Sequence, residues 1–477
     1  MNKNLHKLST LTLVKFQRYL TKSSNCNNAF KIPNDTQNIG KGRSFFVKTY
    51  GCQANIRDTE TIEGILKLLG FVKSNELLKA DLILLNTCAV RENAEKKVFG
   101  EIGFLKKLKS INPKFLFGIC GCMPQKADTV KKIFNQNTHI DLIFGTHNIH
   151  ALPMMLNQVI NQQQRFVQTP TKENKIIENL PVNRFSKIKA YVNIMWGCDK
   201  FCTYCIVPYT RGRIRSRLKN EIINEVETLI QAGYKEVTLL GQNVNNYGID
   251  LYKKYHFADL LNDVANTKIL RLRFVTSNPW NFDKKIVKVM QRHSNIMPYI
   301  HLPIQSGDQN ILKKMNRSMK IKDYYELISY IRKRLPTCAI STDIIVGFPN
   351  ETAQEFDNTI KMYQDLKFDN AYTFIYSPRT GTPAALIEDK IDLQTKKKRL
   401  YKLNELVKYY AKLNNEKWVD KIVEVLVEGF SKTNSHLLTG YTPEWKIVNF
   451  KGKAQIGDIV KVQITSASRF SLNGKMI

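Results

Sequence analysis

No apolar run in the 477-residue sequence approaches the roughly 20 residues that cross a bilayer, so no segment reads as a membrane span. A secretory hydrophobic region is also missing. The nine cysteines, at 26, 52, 88, 120, 122, 198, 202, 205 and 338, are not spaced like a secreted disulfide framework. Acidic residues are scarce, 41 against 73 basic ones, which gives a formal net charge of +32. The first 34 residues contain no Asp or Glu, as mitochondrial presequences do, but they carry one Arg against five Lys. They read as an exposed basic extension of a cytoplasmic protein. A positive excess of this size favours an anionic partner, nucleic acid first. A general bias toward Lys, Asn and Ile would produce the same count.

What is present is centred on Gly197-Cys198-Asp199-Lys200-Phe201-Cys202-Thr203-Tyr204-Cys205, followed by Ile206-Val207-Pro208-Tyr209-Thr210-Arg211-Gly212-Arg213. The apolar stretch Tyr191–Met195 before it reads as a strand, so the three thiols fall on its exit loop. Three thiolates on one loop suit an iron–sulfur cluster. A cubane has four irons, so three ligands leave one open to a cofactor or substrate. A zinc site is the competing reading, but the second Cys or His pair that zinc wants is absent nearby. A disulfide fits poorly in a cytosolic chain.

At this length the chain divides into several domains. From Ser44 a strand–loop–helix rhythm begins: Phe45–Tyr50, Asp81–Asn86, Lys114–Ile119 and Asp141–Phe144 are strands, and a helix spans Arg57 to Leu69. Alternation of this kind predicts a parallel sheet whose exit loops gather along one edge. Cys52, Cys88 and either Cys120 or Cys122 each follow a different strand, so topology alone would bring three thiols together. Cys122 is preferred, because Cys120 lies on the strand side of Gly121. Three unrelated core cysteines are the alternative. Leu152 to Pro181 is polar and reads as a linker.

The alternation restarts at Arg184, with strands at Tyr191–Met195, Glu236–Leu240, Arg271–Val275, Tyr299–Ile304, Ala339–Val346 and Ala371–Tyr376. Six units are two short of a closed eightfold barrel. The strand ends carry Gly241-Gln242-Asn243, Thr276-Ser277, Gln305-Ser306-Gly307 and Gly347-Phe348-Pro349. Each alone reads as a turn. His301 reads as a satisfied core histidine, Cys338 as core, and Asp343 as a charge inside an apolar strand that needs a partner. After Lys417 the chain turns β-rich, with runs at Ile422–Glu428, Trp445–Phe450 and Ile459–Thr465. Residues 415–477 hold nine basic and six acidic residues with Trp418, Phe430, Tyr441, Trp445, Phe450 and Phe470. A small barrel of this kind can bind RNA on basic and aromatic faces, although such aromatics are more often core.

The C-x-x-x-C-x-x-C loop with Phe201 and Tyr204 resembles the signature of radical S-adenosylmethionine (SAM) enzymes. The stretches around Cys52 (GCQAN), Cys88 (NTCAVREN) and Cys122 (GCMPQ), with Phe144-Gly145-Thr146-His147-Asn148, resemble the N-terminal domain of the methylthiotransferases. Val244-Asn245 and Phe144–Asn148 resemble the branch that acts on isopentenyladenosine in tRNA. The commonest family form has Met where this chain has Ala54, which is not a ligand type. Glu424–Gly429 and Ser471–Gly474 resemble a TRAM domain.

The resemblance implies an α/β protein: a basic extension (1–43), a Rossmann-like methylthiotransferase domain (44–160), a linker (161–183), a partial (β/α)6 radical SAM barrel (184–414) and a small OB-like TRAM β-barrel (415–477). It implies two [4Fe-4S] clusters, one on Cys198, Cys202 and Cys205 and an auxiliary one on Cys52, Cys88 and Cys122. SAM would contact Gly241, Gln242, Asn243, Ser277, Gln305 and Ser306. The implied reaction is methylthiolation at C2 of N6-isopentenyladenosine, nucleotide 37 of tRNA. The implied partners are the tRNA anticodon loop and a flavodoxin- or ferredoxin-like electron donor, with no membrane and a monomeric enzyme. Sibling reactions on threonylcarbamoyladenosine or a ribosomal-protein aspartate are the alternatives, and a non-catalytic metal- and RNA-binding protein is the rival of another class.

Overall fold

The computed structural model describes residues 30–90, 92–170 and 176–477, so Cys26 and most of the basic extension lie outside it. Residues 30–43, expected to belong to that extension, instead pack on the first domain. Phe30, Ile32 and Ile39 lie against its core, and Gly40 sits where a Cβ would strike the Phe71 ring. Their apolar residues are few and unevenly spaced, so no periodicity announced the contact.

The first domain is a parallel sheet of β1 (Ser44–Thr49), β2 (Val72–Lys73), β3 (Leu82–Thr87), β4 (Leu116–Gly121), β5 (Leu142–Phe144) and β6 (Phe166–Gln168), in the order β2-β1-β3-β4-β5-β6. β3 is buried at every position, as a strand covered on both faces must be. Leu82 and Leu84 enter the core under helices Gln53–Leu68 and Leu152–Asn161, while Ile83 and Leu85 enter the opposite core under helix Glu92–Ile111. The expected linker is corrected here. Residues 152–161 are helix, and 166–168 pair with β5 as the sheet's edge. A three-residue strand has too little alternation to be recognised. Its place is set by the ladder, with Gly145 and Asn148 donating to the Gln168 carbonyl at 3.2 and 3.0 Å.

β7 (Lys189–Asn193) opens the barrel, and β8 (Met195–Trp196) and β9 (Arg215–Ser216) form a small antiparallel ribbon. β10 (Glu236–Leu240), β11 (Arg271–Phe274), β12 (Tyr299–His301), β13 (Ala339–Val346) and β14 (Asn370–Ile375) complete it. The strands run parallel as β7-β10-β11 and β12-β13-β14, and a bridge from Leu272 to Ile296 joins the halves. Among the described residues no ladder joins β7 to β14, so the barrel is open. Helix Leu393–Glu416 packs along it through Leu400, Leu403, Leu406 and Val407.

β15 (Ile422–Phe430), β16 (Leu438–Tyr441), β17 (Ile447–Lys451), β18 (Ile459–Ala467) and β19 (Ser471–Met476) form a closed antiparallel-rich barrel. This module docks on the N-terminal ends of the larger barrel's strands. Arg271 donates to the Tyr441 carbonyl at 2.8 Å, and Arg273 donates to the carbonyls of Thr442 and Pro443 and to Glu236. The Trp445 ring lies 4.7 Å from the Arg273 guanidinium and 4.8 Å from the Tyr299 ring. Lys446 pairs with Asp369 at 2.7 Å. Tyr441 and Trp445 are therefore docking residues, Phe450 is core, and Phe430 (65% exposed) and Phe470 (68%) face solvent. Among the described residues no helix is long and apolar enough to cross a membrane.

Candidate active site at the domain interface

The β8–β9 ribbon is the stem of the cysteine loop, and Cys198 N–H donates to the Gly212 carbonyl across it at 3.1 Å. Gly197 has φ +76 and a Cβ there would sit 2.0 Å from the Arg213 carbonyl oxygen, so only glycine fits. Residues that follow helix Gln309–Lys314 clasp the loop from outside. Thr203 N–H donates to the Met315 carbonyl at 3.1 Å, and Asn316 Nδ2 donates to the Phe201 carbonyl at 3.0 Å. Buried Arg317 sends Nη1 to Cys202 Sγ at 3.7 Å and to Tyr204 Oη at 3.1 Å. Burial, with the charges of Cys202 and Cys198, pushes the Cys205 thiol up to about 12 against the opposing Val207 N–H and Arg317.

In the first domain β1, β3 and β4 are neighbours, so their exit loops are too. Cys52 caps helix Gln53–Leu68. Asn55, one turn in, donates to Asn86 Oδ1 at 3.2 Å, and Asn86 returns a bond to the Asn55 carbonyl at 2.9 Å. This exchange ties the Cys52 loop to the Cys88 loop. Cys122 N–H donates to the Thr87 carbonyl at 2.8 Å, joining the third. Cys120 lies in the hydrophobic core beneath. Burial raises the Cys122 thiol to about 12. Arg211 opposes that shift, and Cys88, Cys52 and Asp58 add to it.

The Cys198–Cys205 loop meets the cysteine loops of the first domain. Ile206, next to Cys205, packs with Ala89 and Cys122. Arg211 Nε donates to Cys122 Sγ at 3.2 Å and its Nη2 to Asp58 Oδ2 at 2.5 Å. Thr146 Oγ1 donates to the Thr210 carbonyl at 3.0 Å, and Arg215 lies 3.2 Å from His147 Nδ1. Burial, then Arg215 and Arg211, lower the His147 pKa to about 4, so its ring is neutral and accepts from Arg215. Thr146 and His147 of the Phe144–Asn148 stretch thus add to the first domain's contacts with the barrel. Arg211 and Arg317 escaped sequence reasoning. Arg211 stood beside the cysteine motif with no partner in view, while Arg317 is 115 positions from Cys202.

Among the described residues no three His, Cys, Asp or Glu side chains converge tightly enough to share one metal ion. In a cubane each cysteine binds a different iron, so its thiols stand wider apart. Soft thiols with cationic or N–H donors around them fit such a cluster.

Beside the Cys198 loop, Gln242 Oε1 accepts from Gly197 N–H at 2.6 Å, and Gly241 is where a Cβ would meet Met195. Asn243 is buried with both amide atoms unpartnered, and Ser277 is buried with its hydroxyl unpartnered. Val244 N–H donates to the Thr276 carbonyl at 3.2 Å, which brings these two loops together. Buried polar atoms without partners are costly, and these lie on two adjoining loops. Ser306 does not join it. The residue is fully buried, and its hydroxyl lies against Thr359 Oγ1 and accepts from Asp308 N–H. The Gln305 backbone continues the ladder with Asp343 and Ile345 at φ +78. Asp343 finds its partner in His301, 3.4 Å away, and His301 also meets Ser341 at 2.8 Å.

Three family models match the chain in order: the Uncharacterized protein family UPF0004 over residues 44–145, the Radical SAM superfamily over 192–363 and the TRAM domain over 416–477. The chain is 55% identical over 463 residues to the tRNA-2-methylthio-N(6)-dimethylallyladenosine synthase of Malacoplasma penetrans, covering 97% of this chain and 94% of that protein. It is 50% identical over 452 residues to the synthase of the same name from Bacillus subtilis, covering 94% and 89%. The chain belongs to this family. Its radical SAM membership brings SAM and a [4Fe-4S] cluster as cofactors. The fold is similar to the radical SAM methyltransferase TsrM from Kitasatospora setae, with TM-score 0.53 and 12% identity over 72% of this chain and 77% of that one. A second likeness is to the cobalamin-dependent radical enzyme OxsB, with TM-score 0.50, 12% identity, and 77% and 56% coverage.

Proposed function

We infer that this protein adds a methylthio group to C2 of N6-isopentenyladenosine at nucleotide 37 of tRNA, giving 2-methylthio-N6-isopentenyladenosine. The observation that carries the reading is the meeting of the Cys198–Cys205 loop with the three cysteine-bearing strand exits of the first domain, where Ile206 packs with Ala89 and Cys122. In this reading Cys198, Cys202 and Cys205 hold the radical SAM cluster, and Cys52, Cys88 and Cys122 hold a second [4Fe-4S] cluster. When bound, SAM and the clusters supply one-electron chemistry for an unactivated C–H bond, together with sulfur and methyl.

The chain's own residues position and shield. Gln242 anchors the start of the cysteine loop through Gly197. Asn243 and Ser277 offer unused donors and acceptors that suit the amino-acid end of SAM. Burial of Cys88, Cys122 and Cys202 keeps water from the reacting centre. The tRNA anticodon loop is the macromolecular partner. On the small barrel it is offered exposed Phe430 and Phe470, the latter stacked 4.3 Å under Arg469. A flavodoxin- or ferredoxin-like donor supplies electrons, and the enzyme works as a cytoplasmic monomer.

The test compares single-turnover product on three otherwise identical tRNAs, unmodified, isopentenylated and threonylcarbamoylated, by nucleoside mass spectrometry. Methylthio product on the isopentenylated RNA is expected. Preference for the threonylcarbamoylated RNA would move the protein to the sibling reaction, and equal rates would mean that the prenyl group is not read.

A further inference from the structure

Arg211 belongs to the barrel, yet its guanidinium ends in the first domain. Nε donates to Cys122 Sγ at 3.2 Å and Nη2 to Asp58 Oδ2 at 2.5 Å. Both charged residues are buried, Arg211 at 4% and Asp58 at 5% exposure. The backbone beneath is held as well: Arg211 N–H donates to the Val207 carbonyl at 2.8 Å, and Arg215 donates to the Arg211 carbonyl at 3.3 Å. Asp58 lies on helix Gln53–Leu68, the helix that Cys52 caps. One cation from the barrel is therefore clamped between a thiol and a carboxylate of the other domain. Guanidinium stays charged under all working conditions.

We propose that Arg211, oriented by Asp58, is a positioning residue that sets the reduction potential of the cluster on Cys52, Cys88 and Cys122. This rests on reading that triad as cluster ligands. Adding an electron makes a thiolate-ligated cluster more negative. A fixed cation hydrogen-bonded to one of its sulfurs favours the reduced state, and a nearby fixed anion opposes it. The two residues therefore act with opposite signs. Because the cation comes from the barrel, the potential depends on the two domains being docked. A purely structural ion pair would have no such signature, since losing either member would loosen the same contact.

The test uses full-length protein in which Cys198, Cys202 and Cys205 are all replaced by Ala, so that only the second cluster is present. Iron and sulfide content are measured first. A protein without iron at this stage overturns the triad reading itself, before Arg211 is touched. The midpoint potential is then titrated by EPR in this background with Arg211→Met, Arg211→Lys and Asp58→Asn. Arg211→Met should shift the potential to more negative values, Arg211→Lys should shift it less, and Asp58→Asn should shift it to more positive values. Unchanged potentials, or shifts of one sign for Arg211→Met and Asp58→Asn, overturn the proposal. Should Arg211→Met fail to hold iron, Asp58→Asn decides: a positive shift supports the assignment, and no shift or a negative one overturns it.

Discussion

At the scale of single residues, the site is defined by groups kept from their solution state. Burial, with neighbouring thiols, pushes Cys122 and Cys205 up to about 12 from an ordinary 9.0, so without metal these thiols are protonated at neutral pH. The metal-free fold consequently holds protons that the unfolded chain gives up above pH 9.0, and its stability falls as pH rises from there toward about 12. Urea melts of the metal-free protein across that window should show the loss, and replacing both thiols by Ala should lessen it, the remainder coming from buried Cys338 and buried tyrosines such as Tyr191 whose pKa values burial also raises. Cluster loading must release those protons, so it should acidify a weakly buffered solution. Ser277 makes the complementary point. Its hydroxyl is buried without a partner, so Ser277→Ala should leave the ligand-free melting temperature unchanged or slightly higher. SAM affinity should drop about tenfold, as a lost hydrogen bond of ~1.4 kcal/mol implies. Equilibrium dialysis measures the second effect and calorimetry the first.

At the scale of elements, short pieces of irregular backbone position the chemistry. The β8–β9 ribbon has two residues on each strand, yet it sets where the cysteine loop leaves the barrel. Its tolerance is narrow, because a Cβ on Gly197 would lie 2.0 Å from a backbone oxygen that cannot swing aside. Gly197→Ala should therefore displace the loop and lower iron bound at Cys198, Cys202 and Cys205 by at least about half, with the fold's circular dichroism retained; full iron content would show that the stem is not what holds the thiols. From the other side, residues 315–317 clasp the loop at the Phe201 and Thr203 backbone and at Cys202. The thiols are held between two elements distant in the chain.

At the scale of the whole molecule, the small C-terminal barrel is tied to the N-terminal ends of the larger barrel's strands. Arg273 is buried among Glu236 and two carbonyls of the other domain. Arg273→Met would strand the Glu236 carboxylate in the interior, at a cost of about 3–5 kcal/mol, visible as a fall in the chemical-denaturation midpoint. Deleting residues 417–477 should for the same reason destabilise the larger barrel. RNA binding is better probed at the solvent-facing residues. Arg469→Ala with Phe470→Ala should weaken tRNA binding and flatten its salt dependence, while SAM cleavage without tRNA stays at the parent rate. An unchanged salt slope would place the RNA elsewhere.

By itself the sequence determined the chain of modules, the strands that carry the cysteines and the place of Cys120 in the core on the strand side of Gly121. Alternation, strand-exit loops and motif spacing are local properties, and each survives as a pattern in one dimension. What it left undecided were the short edge strand at Phe166–Gln168, the packing of residues 30–43, the docking role of Trp445 and the satisfied hydroxyl of Ser306. It was equally silent on the partners of Arg211 and Arg317. All of these depend on which distant residue closes a ladder, receives a hydrogen bond or cancels a buried charge. A basic side chain beside a motif looks the same in sequence whether it faces water or a thiol 89 positions away; burial decides, because only there does an unpaired charge or donor cost enough to dictate its neighbour.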